Sequence, residues 1–266
     1  MSRRGIGLHT GEYSVVRLLS AEQDAGITFR IGSAEARLTP DLVLRTDRCT
    51  ALSIGGTTLA TVEHLLAALH GMAIDNVIVE VDGPEMPALN GSASGWVEAL
   101  NEAGIVGQGC QSSVLSPVEP YAAVHNGCCL GIEPADELVL TCAIHYEHPM
   151  IGTMTRTFKI CPDCFASEIA PARTYGFASE IEQLRQRGLG LGGSLENALV
   201  IYEDHFSAEP LYPDEPLRHK ALDLLGDLFV LGRRLLGRIT AFRPGHTINH
   251  AFVKALLQAS PGGVRV

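Results

Sequence analysis

The chain has 266 residues, which at the usual ~150 residues per domain allows one large or two small domains. Hydrophobic residues make up 46% and charged residues 19%, ample for a core and too apolar for a disordered chain. With 20 Lys and Arg against 30 Asp and Glu, the net charge of −10 excludes a general nucleic-acid binder, so local cations must hold any anionic ligand.

In chain order, 13–18, 26–31, 42–44 and 51–54 read as short strands between turns. The stretch 61–72 (TVEHLLAALHGM) reads as a helix opened by a hydroxyl cap at Thr61 and closed near Gly71. A buried strand at 76–81 (NVIVEV) follows, then a turn at Asp82, Gly83 and Pro84. A second helix, capped by Ser92 or Ser94, carries Trp96, Val97, Leu100 and Ala103. The same order recurs as a helix at 216–231, a strand at 238–242 and a helix at 247–258.

The first helices of the two halves start near 61 and 216 and the second near 92 and 247. The spacing is therefore 31 in each half, and the halves are offset by 155. This self-similarity predicts an α+β fold of two similar domains, 1–110 and 111–266, each a small β-sheet packed with two helices, with the active site between them. The boundary is expected in the turn-rich stretch 107–117. One segment, about 174–202, has no counterpart in the first half and reads as a strand–helix–strand insertion in the second domain.

No apolar run approaches the ~20 residues needed to cross a bilayer, and the residues after Met1 lack the apolar core of a signal peptide. Seven cysteines at irregular spacing, with Cys128 and Cys129 adjacent, suit a reducing compartment, so the expected location is the cytoplasm.

Metal ligation is the chemistry the residues suggest first. His219 and Asp223 stand four apart on a helix and project from one face, with Asp227 a turn further on. Alone the pair equally suits a solvated face. His64, however, lies 155 residues before His219, at the equivalent turn of the equivalent helix. If the two helices converge, a His–His–Asp set results with a fourth position open, the pattern of a catalytic zinc site. Glu63 beside His64 is either a base for water or an acidic first-turn residue. A rival donor set, His145 and His148 with Cys161 and Cys164, is weakened because residues three apart on the strand at 138–146 point to opposite faces. The glycine-rich run 188–193 follows a helix and so fails the context test for a dinucleotide loop, and no Gly-x-Ser-x-Gly elbow supports a serine nucleophile. His246, in a loop after Arg243, suits either a general acid or a surface histidine.

Taken together, the stretches GIGLHTGE (5–12), TVEHLLAAL (61–69), IDNVIVEV (74–81), PEMPALNGSA (84–93), ARTYGF (172–177), RGLGLGGS (187–194), RHKALDLLGDL (218–228) and PGHTINHAFVKAL (244–256) closely resemble one family. It is the UDP-3-O-acyl-N-acetylglucosamine deacetylases, zinc amidases of lipid A biosynthesis. The resemblance implies that His64, His219 and Asp223 hold Zn2+, with Fe2+ possible on the same ligands. It implies that Glu63 is the general base, that His246 protonates the leaving amine and that Thr174 helps hold the oxyanion, with Lys220 and Asp227 supporting the site. His9, Tyr146, Phe177 and Arg243 fall where the family contacts the sugar nucleotide. The insertion resembles the family's acyl-chain passage, with Ile181, Leu184, Leu191, Ala198 and Val200 as its lining. Asn90 stands where the family usually has Asp; it can still cap a helix but lacks the charge.

The implied partner is therefore an acylated UDP-sugar, with no nucleic acid and no transmembrane segment, and with a monomer favoured. Two other functions are compatible with the sequence: a non-catalytic sugar-nucleotide sensor, and a zinc amidase acting on another N-acyl sugar. The intact ligands, Glu63 and His246 argue against the first, and the apolar insertion against the second.

Overall fold

Alternation of apolar and polar side chains builds the first sheet. In a computed structural model describing residues 1–259, the early strands are β1 (Ser2–Ile6), β2 (Tyr13–Leu19), β3 (Ile27–Ile31) and β4 (Ala34–Arg37). A small three-stranded sheet follows, made of β5 (Val43–Arg45), β6 (Ala51–Ile54) and β7 (Thr57–Leu59). Then come helix α1 (Glu63–Gly71), strand β8 (Val77–Asp82) and helix α2 (Ser94–Ala103). Along β2 the residues Ser14, Val16 and Leu18 point inward while Arg17 faces solvent. On β8 the valines 77, 79 and 81 do the same. The large sheet runs β1-β2-β8-β3-β4, with β8 parallel to β3 and every other neighbour antiparallel.

The second half repeats this plan. A short β9 (Val114–Leu115) precedes β10 (Tyr121–His125), β11 (Cys128–Glu133), β12 (Leu138–Tyr146) and β13 (Gly152–Lys159). A short turn α3 (Pro162–Cys164), β14 (Tyr175–Phe177), α4 (Ala178–Gln186) and β15 (Leu199–Ile201) come next, and α5 (Glu215–Leu228), β16 (Arg234–Leu235), β17 (Gly237–Phe242) and α6 (His246–Ala259) complete the described chain. The sheet order is β10-β11-β17-β12-β13, and again the single parallel pair, β12 with β17, sits in the equivalent place. Two sheets with one order and one pattern of sense make this a two-domain α+β fold. The insertion is the expected strand–helix–strand, with β14 and β15 paired in parallel.

All of α1, and all of α5 except Lys220, is buried, because the two helices pack chiefly against each other, α1 also against α2 and α5 also against β12. They cross closely at Gly226, where a Cβ would collide with the carbonyl group of Glu63. Leu65, Leu66 and Leu69 from α1 and Leu222, Leu224 and Leu225 from α5 join one continuous core.

Several local expectations change. Thr61 does not cap α1: the helix begins at Glu63, and Thr61 takes a left-handed φ of 59° and donates its hydroxyl to Glu85 Oε1 at 2.6 Å. Neither Ser92 nor Ser94 caps α2, whose N-cap is Ala93 without a side-chain bond. The Ser92 hydroxyl instead accepts the Ser94 N–H at 3.1 Å. Asn90 does not cap that helix either, since its Oδ1 accepts from the Ser92 hydroxyl at 2.9 Å in the preceding turn. The strand expected at 42–44 starts one residue later, after a 3-10 turn at Pro40–Leu42, because Pro40 favours the turn. The long helix expected to Leu231 ends at Leu228 and tightens into a 3-10 turn, Phe229–Leu231. Residues 260–266 of the expected second domain lie outside the described residues. Among the described residues no helix is long and apolar enough to cross a membrane.

Candidate active site

Crossing of α1 and α5 brings the equivalent histidines together. The rings of His64 and His219 meet edge to face with centroids 5.0 Å apart. Asp223 Oδ1 lies 3.7 Å from His64 Nε2 and 3.4 Å from His219 Nε2. One ligand atom from each of the three falls within 4.8 Å of the others. His219 Nδ1 donates to the Ala172 carbonyl at 3.0 Å, which leaves a lone pair on Nε2 facing the cluster. Burial, reinforced by His219, pushes His64 down to about 3, and burial likewise lowers His219, so both rings are neutral donors at pH 7. Burial disfavours an ionised Asp223, but Lys220 and the histidines outweigh it and hold the carboxyl well below the usual range. Lys220 Nζ donates to Asp223 Oδ2 at 2.8 Å, and although burial opposes its charge, Asp223 raises its pKa.

The proton-handling groups flank this set. Glu63 Oε1 is 4.0 Å from His246 Nε2, and Glu63 Oε2 accepts the Thr50 N–H at 3.0 Å. Burial pushes Glu63 up to about 8; His246 opposes the shift, while Asp223 and Asp227 add to it. His246, at the start of α6, donates from Nδ1 to Asp227 Oδ2 at 2.8 Å. Burial alone would neutralise this ring, yet Asp227, with help from Glu63 and Asp223, raises it to about 9. Asp227 is itself held ionised, since His246 and His250 outweigh its burial. It also accepts from Thr50 Oγ1 at 2.6 Å and Asn249 Nδ2 at 2.8 Å.

The donor set fits a divalent cation. Two imidazole lone pairs and one oxygen of the ionised Asp223 carboxylate converge. The rival residues do not assemble comparably among the described residues. His145 Nδ1 bonds Thr153 Oγ1 at 2.8 Å, His148 Nδ1 accepts from the Met150 N–H at 3.3 Å, and Cys161 Sγ accepts from the Cys164 N–H at 3.3 Å.

Glu63, His64, His219, Lys220, Asp223 and His246 line a cavity of about 760 Å³ that also takes in His9, Thr174, Tyr146, Phe177 and Arg243. Tyr146 and Tyr175 share a hydroxyl hydrogen bond at 3.0 Å beside the Phe177 ring. Ile181, Leu184, Ala198 and Val200 line its apolar arm with Leu8, Leu189 and Leu195. Leu191 is a correction. The residue is 55% exposed and does not line the cavity, and its backbone N–H donates to the His9 carbonyl at 3.1 Å. Gly192 is similarly bonded to Leu8, and the loop carrying both partners is pinned by buried Glu85, which accepts the backbone N–H groups of His9 and Thr10.

Sequence reading did not single out Glu85, Thr50, Asn249 or His250. Thr50 lacks any local signal, being brought to Asp227 from 177 residues away. Asn249 and His250 stand one helical turn beyond His246, a spacing from which their shared partner could have been suspected.

A carboxyl group and a cationic imidazole 4.0 Å apart, beside a converging His–His–Asp set, are the equipment of a metal-dependent hydrolase. Comparison with known proteins narrows the class. Residues 1–258 match the family described as UDP-3-O-acyl N-acetylglycosamine deacetylase (LpxC). The deacetylase of Oleidesulfovibrio alaskensis is 40% identical over 258 residues, covering 95% of this chain and 85% of that one. That of Syntrophotalea carbinolica is 40% identical over 259 residues, covering 95% and 84%. That of Neisseria meningitidis serogroup B is 36% identical over 268 residues, covering 97% and 87%. All three bear the name UDP-3-O-acyl-N-acetylglucosamine deacetylase. The chain belongs to this family of metal-dependent deacetylases, whose reaction commits its substrate to lipid A synthesis.

Proposed function

We propose that this chain removes the N-acetyl group from UDP-3-O-(3-hydroxyacyl)-N-acetylglucosamine, releasing acetate, with Zn2+ held by His64, His219 and Asp223. The observation that carries this reading is the 4.0 Å approach of Glu63 Oε1 to His246 Nε2 beside the metal donor set, at the inner end of a partly apolar cavity. Fe2+ suits the same donors. When bound, the dication supplies Lewis-acid charge for the attacking water and the developing oxyanion.

Every other step falls to side chains of this chain. Glu63 takes the proton of the attacking water as it adds to the acetamide carbonyl. In its ionised form, which cationic His246 favours against burial, it is a stronger base than an ordinary carboxylate. Thr174, in the cavity wall, donates to the oxyanion. His246, cationic because of Asp227, delivers its proton to the departing amine, and Asp227 holds the ring by Nδ1 so that Nε2 faces the reaction. Lys220 fixes the second oxygen of Asp223 and so keeps Oδ1 turned inward. Arg243 and His9 grip the polar sugar-nucleotide end with Tyr146 and Phe177 beside it, while Ile181, Leu184, Ala198 and Val200 take the acyl chain. Cavity burial at ~0.8 kcal/mol per methylene makes the acyl chain a large part of affinity.

The reading includes a division at 1–110 and 111–266, supported by the two sheets of matching order, and action in the cytoplasm as a monomer. Turnover of the acylated sugar nucleotide tests it against a non-catalytic sensor, which would bind without releasing acetate. Comparison with the unacylated sugar nucleotide tests it against an amidase for another N-acyl sugar: equal kcat/KM for both would favour that rival.

A further inference from the structure

Both proton-transfer groups lean on one residue outside the helices that carry them. Thr50, fully buried just before β6, donates its backbone N–H to Glu63 Oε2 at 3.0 Å. Its hydroxyl lies 2.6 Å from Asp227 Oδ1 and 2.8 Å from His250 Nε2. A hydroxyl has one hydrogen, and an ionised carboxylate can only accept. The Thr50 hydrogen therefore goes to Asp227, and His250 Nε2 supplies the hydrogen of the other bond. His250 is itself buried at 4% exposure and its Nδ1 has no partner among the described residues. Nε2 also stands 3.3 Å from Asp227 Oδ1, and its shorter bond, to the Thr50 hydroxyl, turns that hydroxyl's hydrogen toward Asp227. The carboxylate so held is the one that orients His246.

We propose that Thr50 is a positioning residue that aligns Glu63 and the Asp227–His246 pair from a single fixed point, with His250 setting the direction of its hydroxyl. This rests on Glu63 and His246 being the base and the acid. The β6 segment comes from the first half of the chain, whereas Asp227, His246 and His250 come from the second. One residue, through its backbone N–H and its hydroxyl, therefore sets the register between a base on α1 and an acid on α6. Side-chain deletion and backbone deletion have different consequences. Thr50→Val keeps shape and the N–H to Glu63 but removes the hydroxyl, so it frees only the acid.

The test measures kcat, KM and bound metal for Thr50→Val, Thr50→Ser, His250→Ala, His246→Gln and the Thr50→Val/His246→Gln double variant. Loss of a supporting hydrogen bond of this kind costs about 10- to 100-fold. Thr50→Val is expected to lose about that factor in kcat, with KM within about twofold and full metal content. Thr50→Ser should recover most of the loss, and His250→Ala should lose several-fold in kcat without a change in KM. If Thr50 acts through His246, the double variant should be hardly slower than His246→Gln alone. Wild-type kcat in both Thr50→Val and His250→Ala would overturn the proposal, as would losses that multiply in the double variant. Near-normal turnover of His246→Gln would instead remove the acid assignment, and with it the route assigned to Thr50.

Discussion

Replacing Asp227 by Asn tests how the acid is kept charged. In the wild-type site His246 is raised from 6.5 to about 9 against its own burial. That displacement corresponds to roughly 3 kcal/mol favouring the protonated ring, at ~1.4 kcal/mol per tenfold. At pH 7.5 the ring is then ~97% protonated. With Asn in place, burial remains and its main counterweight is gone, so the pKa should fall below 6.5 and the protonated fraction at pH 7.5 below ~10%. Turnover should drop at least tenfold at pH 7.5 and by less at pH 6, and the alkaline limb of the kcat profile should move from near 9 to below 7. The variant should also be less stable. Every hydrogen-bonded neighbour donates to Asp227: Thr50 on one oxygen, with His250 Nε2 3.3 Å from it, and His246 and Asn249 on the other. Either orientation of the amide sets its NH2 against a donor, at a cost of about 1–3 kcal/mol. In linkage terms, the raised His246 contributes stability that is complete below about 6.5 and lost as pH rises through about 9. The melting-temperature gap between wild type and variant should therefore narrow above pH 9. A pH–rate profile, run with melting curves and metal analysis on the same preparations, decides the matter. An unmoved alkaline limb in a folded, metal-loaded variant would refute the reasoning.

Other expected outcomes follow from the same geometry. His219→Ala should lose stoichiometric metal, whereas the Cys161→Ser, Cys164→Ser double variant should keep it, as read by elemental analysis. Gly226→Ala should push α1 from α5 at Glu63, lowering stability by about 1–3 kcal/mol on overpacking and reducing kcat more than KM, as read by denaturation and kinetics. Ala198→Leu should penalise long acyl chains more than short ones, with unchanged metal content, as read by kcat/KM across a chain-length series. Uniform loss across that series would mean that the insertion only packs on its own sheet.

Much of the donor cluster was legible because two of its members, His64 and His219, sit at equivalent turns of repeated helices. The 155-residue offset placed His64 opposite His219 before any coordinates, and the meeting of those rings follows from α1 crossing α5. Periodicity located β8, β12 and β17 because each buries alternate side chains of a half-covered sheet. Helix starts were less legible. Thr61, Ser92 and Asn90 have cap-forming side chains, but Thr61 spends its hydroxyl on Glu85, 24 residues away, while Ser92 and Asn90 use their oxygens in turns that compete with capping. Leu191, expected in the acyl passage, is 55% exposed and not among the residues lining the cavity, a placement set by the loop's contact with His9 and Leu8 that periodicity does not show. Thr50 and Glu85 act over 177 and 76 residues of separation, beyond the reach of any spacing argument.

The central claim is hydrolysis of the N-acetyl group by Glu63 and His246 on an acylated sugar nucleotide. Its most direct test follows acetate release from UDP-3-O-(3-hydroxyacyl)-N-acetylglucosamine by the metal-loaded protein, beside Glu63→Gln and His246→Gln of equal metal content. The account predicts steady turnover by the wild type and losses of about 10²–10⁴-fold in each variant. No acetate from the metal-loaded wild type, or near-wild-type rates in both variants, would contradict it.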